Sequence, residues 1–158
     1  MFNPSSSSAG FVVSPFFNHV VAGQNGLTSS VIGHELCHAE LYSRLPFPRW
    51  LLSEYFIPIW FDEGLAMQMN TESRYSDEMW VKYSLENKSF IPNFASLASK
   101  KYFYNELQWY NYMYSKNELA RWLDIVGAVG LNDLIDSLPS GDFHTTYSEI
   151  EARYRTLE

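Results

Sequence analysis

His34-Glu35-Leu36-Cys37-His38 is the stretch of this chain whose residue types and spacing do chemistry. On a helix, residues four apart share a face, so His34 and His38 can aim a ring nitrogen at one ion. Zinc takes such nitrogens at about 2.0–2.1 Å. Glu35 stands one residue, or about 100°, around the helix from His34. Its carboxylate then lies beside the ion without binding it, which suits a base acting on an attacking water.

A catalytic zinc needs a third protein ligand and an open position. The other histidines are His19 and His144, which read as solvated or packed side chains. Cys37 is the single cysteine, so multi-cysteine zinc sites and internal disulfides are excluded, and it reads as a small buried filler. A metzincin-type continuation would need Gly and His where the chain has Leu41 and Arg44. A carboxylate remains, and the best candidate is Glu63 in Pro58-Ile-Trp-Phe-Asp-Glu-Gly-Leu-Ala66, with 24 residues between it and His38. Gly64 beside it permits a close helix approach.

The pair of motifs, His-Glu-x-x-His followed by Trp-Phe-Asp-Glu-Gly-Leu-Ala, resembles the gluzincin metallopeptidases of the MA clan. That resemblance implies an α+β, zincin-like fold, zinc held by His34, His38 and Glu63, and Glu35 as general base. Asp62, where many relatives have Asn, becomes a partner behind the ligands or a helix-entry acid. The likeness continues through Tyr112-Met-Tyr-Ser115, Trp122-Leu123, Gly127, Leu134, Leu138 and Gly141-Asp-Phe143 into a C-terminal helical lobe. In the family a tyrosine here donates to the developing oxyanion. Tyr112 fits best, with Tyr114 and Tyr110 as alternatives among five tyrosines between 102 and 114. The Gly-Ala-Met-Glu-Asn segment of related aminopeptidases is absent, so exopeptidase action of that type is not implied. The implied activity is hydrolysis of a peptide or protein substrate. The alternative is a zinc-stabilised scaffold or peptide-binding domain without turnover.

The elements that must position these residues follow from local signals. Residues 1–9 read as a flexible lead of a single domain over 1–158, with no signal peptide, and a Ser-rich lead running straight into strand-like sequence equally suits the front of a longer chain. Phe11–Val13 and Asn18–Ala22 read as short strands interrupted at Pro15, the second able to hold an extended peptide at its edge. A turn follows at Gln24-Asn25-Gly26. Thr28, Ser29 or Ser30 caps a helix to about Leu45, stopped by Pro46 and Pro48. The strip from Trp50 to Trp60 reads as core, and Pro58 opens a helix to about Asn70. Ser76 caps a helix over Asp77–Glu86, and Asn87–Lys101 reads as irregular. A long helix spans about Asn105–Val126 with Gly127 as left-handed stop, Gly130–Leu138 is short, and Thr146-Tyr-Ser-Glu149 opens the last helix. The small β element in front and helical body behind make an α+β domain.

Composition narrows the partners. The 158 residues are 46% hydrophobic and 17% aromatic, ample for a core, and 11 Lys+Arg against 18 Asp+Glu leave a net charge of −7. An acidic balance argues against nucleic acid, which calls for a basic face. No apolar run reaches the roughly 18–20 residues of a membrane span. Localisation and oligomeric state stay open.

Overall fold

The computed structural model describes residues 9–13, 18–23, 27–45, 56–86, 93–138 and 142–156. The lead before Ala9, Pro15, the Gln24–Gly26 turn, the stop at Pro46 and Pro48, most of the strip after Trp50, and Gly141 lie outside the described residues. Strands β1 (Ala9–Val13) and β2 (Asn18–Ala22) pair antiparallel, Ala9 opposite Ala22 and Val13 opposite Asn18. Helix α1 covers Ser29–Ser43, and Thr28 caps it by accepting from the Val31 amide. Helix α2 covers Ile59–Ala66 and continues as a 3₁₀ turn over Met67–Met69. Pro58 is its N-cap rather than its first residue. After a second 3₁₀ turn at Ser73–Tyr75 come α3 (Asp77–Glu86), α4 (Phe94–Leu97), α5 (Lys100–Phe103), α6 (Gln108–Ser137) and α7 (Phe143–Arg155).

The α+β, zincin-like class expected from the sequence does not hold. The molecule is mostly helical, and the sheet among the described residues is the β1–β2 hairpin alone. Two five-residue strands give too little face to form a layer of their own. The core lies instead between helices, where α6 packs along α2 on one side and α7 on the other.

Two other expectations are corrected. Within 87–101, read as irregular, α4 and α5 form where the chain is described, because Asn93 caps α4 and Leu97 and Phe103 each bury a side chain. The last helix starts not at Thr146 but behind Asp142, whose carboxylate accepts from the Thr145 amide at 2.9 Å. The earlier start lets Phe143 and Tyr147, four apart, bury together against Trp60 and Phe61. Gly127 takes the positive φ expected of it, 61°, and with ψ −169° it divides α6 into two helical segments, as the sequence reading has it. That combination is essentially restricted to glycine.

Helix α2 is the centre of the molecule, with all eight residues buried. Trp60 and Phe61 face Phe143 and Tyr147 edge-on, and Tyr147 in turn stacks on Trp122 at 4.6 Å. Its opposite side meets α6 so closely that a Cβ on Gly64 would stand 2.7 Å from the Ser115 carbonyl oxygen. Backbone cannot yield as a side-chain end does. Gly64→Ala is therefore expected to destabilise by about 1–3 kcal/mol, a fall of roughly 2–12 °C in melting temperature for a chain of this size. Thermal unfolding of the metal-free protein checks it; an unchanged midpoint would show that the helices can part freely.

Among the described residues, no helix is long and apolar enough to cross a membrane.

Candidate metal centre

Two helices supply the centre. The α1 stripe 34–38–42 faces α2, and α2 presents Asp62 and Glu63 towards it. The helices are held in register at one end by Ser30, whose hydroxyl donates to Asn70 Oδ1 at 3.1 Å and accepts from the Thr71 amide at 2.8 Å. Gly33 lets the Met67–Met69 turn come close, since a Cβ there would meet Met69 Cβ at 3.3 Å.

His34 Nε2 lies 3.2 Å from His38 Nε2 and 3.3 Å from Glu63 Oε2, and His38 Nε2 lies 3.6 Å from the same oxygen. Four-coordinate zinc with bonds of about 2.0–2.1 Å sets its ligand atoms about 3.3–3.4 Å apart. The three atoms thus sit near the corners of one face of such a tetrahedron. Glu63 Oε2 is buried and has no hydrogen-bond partner despite its two imidazole neighbours. A buried carboxylate oxygen left unpaired is costly. Glu63 Oε2 and the two Nε2 atoms lie close to one another, a grouping that could hold a cation. Among the described residues, His34, His38 and Glu63 form the one group of this kind.

Behind this triangle His38 Nδ1 and Glu63 Oε1 are paired, while His34 Nδ1 is buried without a hydrogen-bond partner. Asp62 Oδ1 bonds His38 Nδ1 at 2.6 Å and its Oδ2 accepts from the Tyr42 hydroxyl at 2.6 Å. The Asp62–His38 bond leaves Nε2 free to face the centre. Asp62 thus pairs with His38 and also stands as an acid in the first turn of α2. Glu63 Oε1 accepts from the Tyr104 hydroxyl. Burial opposes the charge on Glu63, but the two imidazoles and Tyr104 more than offset it and hold the carboxyl well below the usual range. Burial likewise opposes a charge on His38, and the carboxylates of Asp62 and Glu63 outweigh it, raising the imidazole to about 10 in the metal-free chain. Glu35 is half-buried; burial raises its pKa, while the charges of His34 and His38 pull the other way.

Of the candidate tyrosines, Tyr112 is the one beside the centre, its ring 6.5 Å from that of His34. Tyr110 packs on Tyr83 and Trp109, and Tyr114 on Trp80 and Phe94. Cys37 is partly buried against the core, and burial raises its thiol to about 11, as expected of an unreactive filler. His144 is exposed and packs on Phe143; the His19 side chain lies outside the described residues. Two residues of the site are missing from the sequence reading. Tyr42 was findable, since it stands four residues beyond His38 on the same stripe. Tyr104 carries no such local signal.

Comparisons of the chain with protein-family models, with curated proteins and with solved structures return no match.

Losing the Asp62 carboxylate removes the acceptor that orients His38. Asp62→Ala is expected to weaken zinc binding about 10–100-fold, and Asp62→Asn, which keeps a carbonyl oxygen in place, to recover most of that loss. Competition with a chromogenic chelator measures both. Equal affinities in the parent chain and Asp62→Ala would dismiss the orienting role.

Proposed function

We propose that this protein is a zinc-dependent peptidase whose centre, though not its overall architecture, is of the gluzincin kind. The observation that carries the reading is the convergence of His34 Nε2, His38 Nε2 and the unpaired Glu63 Oε2 at tetrahedral-edge separations. Two histidines and one carboxylate match the ligand sets of catalytic rather than closed structural zinc sites. Zinc bound there supplies Lewis acidity towards a water and a scissile carbonyl.

The chain's own groups do the rest. His34, His38 and Glu63 hold the ion, and Asp62 keeps the His38 ring turned so that Nε2 faces it. The Glu35 carboxylate takes the proton of the attacking water and returns it to the leaving nitrogen of the peptide bond. The hydroxyl of Tyr112, whose ring lies 6.5 Å from that of His34, is the donor to the oxygen on which charge develops. Substrate is a peptide or protein, and the β2 edge offers an extended segment backbone hydrogen bonds.

Zinc content by mass spectrometry, followed by hydrolysis of a quenched-fluorescent peptide library, tests the reading. One zinc per chain with chelator-sensitive cleavage is expected. Absence of zinc even after reconstitution overturns it, and zinc without cleavage replaces it by the scaffold alternative.

A further inference from the structure

Tyr104 is placed unlike the other aromatic residues near the centre. It belongs to no helix but ends α5, its amide bonding the Lys100 carbonyl at 3.0 Å. Its side chain is 42% exposed, yet its hydroxyl reaches the buried Glu63 Oε1. A surface residue and a buried carboxylate 41 positions apart are thereby joined.

The turn that carries Tyr104 is itself fastened. Phe103 is fully buried and packs edge-on against Tyr112. The Asn111 side chain, 1% exposed, donates from Nδ2 to the Phe103 carbonyl at 2.7 Å and to the Tyr102 carbonyl at 3.3 Å. Burying an amide is unfavourable unless it is bonded, and here it is bonded to the two residues just before Tyr104. The arrangement runs from Asn111 on α6, through the 102–104 turn, to one oxygen of the third ligand.

A carboxylate has two oxygens and can bind an ion through one or both. In Glu63 one oxygen faces the two imidazoles, and the other is taken by a phenol. We propose that Tyr104 is a positioning residue that commits Glu63 to bind through Oε2 alone, keeping the fourth position of the centre open. This rests on the zinc reading above. Without the phenol, Oε1 is free to turn towards the ion, and the carboxylate is free to rotate. Free rotation of the carboxylate costs affinity, and binding through both oxygens fills the place where water would act.

The test compares the parent chain, Tyr104→Phe and Tyr102→Phe, the last a control for loss of a hydroxyl on the neighbouring exposed ring. Zinc dissociation constants by chelator competition, the visible spectrum of the cobalt(II)-loaded proteins, and melting of the metal-free proteins are recorded. Tyr104→Phe is expected to bind zinc about 10–100-fold more weakly, with altered cobalt bands because the ligand set and its geometry change, while Tyr102→Phe matches the parent. A merely structural hydroxyl would lower the metal-free melting temperature and leave affinity and cobalt spectrum unmoved, which overturns the proposal while the zinc reading stands. A parent chain that binds neither metal overturns both.

Discussion

Glu35→Gln is expected to hold zinc as tightly as the parent chain and to cleave peptide bonds about 10²–10⁴-fold more slowly. Glutamine keeps the size and polarity of the side chain but cannot take up the proton of the attacking water. The two properties separate because Glu35 is on α1 between the ligand histidines yet is not among the converging ligand atoms. It is partly buried, which raises its pKa, and it lies near the charges of His34, His38 and Glu63. Steady-state cleavage and zinc stoichiometry on the same preparation decide the matter. A glutamine variant that cleaves at the parental rate removes Glu35 from the mechanism.

Glu63→Ala should abolish zinc binding at concentrations that saturate the parent, a loss larger than the roughly 100-fold at the upper end for a residue behind the ligands. The effect is readable in stability. Zinc at a hundred times its dissociation constant adds about 2.7 kcal/mol to a protein that binds it only when folded, or about 5–11 °C for a chain of this size. The parent should show this rise and lose it to a chelator, and the variant should show none. The zinc-free variant is expected to be weaker than the zinc-free parent, since the alanine takes the acceptor from Tyr104 and the carboxylate from beside His34 and His38. Scanning calorimetry with zinc and with chelator separates the two. A variant that keeps the zinc-dependent rise would mean that the ion is held elsewhere.

What could be read from the chain alone was what short-range chemistry decides. Thr28 before an apolar run, Ser76 before two acids and the Pro58 boundary each settle a helix start within a few residues, and α1, α2 and α3 begin within a residue of those signals. His34, Glu35 and His38 were legible because four-residue spacing on a helix is a local matter. Glu63 was legible because it stands in a second motif on a confidently helical stretch. Even the two strands stand where the β-branched runs put them.

Their weight in the fold was not legible. Whether a hairpin grows into a layer depends on what else pairs with it, and here the core formed around α2 among helices instead. The start of α7 shifted because Phe143 and Tyr147 gain more by burying together than the capping residues at Thr146 offer. The orientation of Asp62 towards His38, the nearness of the Tyr112 ring to His34, and above all the reach of Tyr104 to Glu63 belong to the tertiary structure. Each joins residues tens of positions apart, and such contacts are settled by which faces pack, a property of the whole core rather than of any local run of sequence.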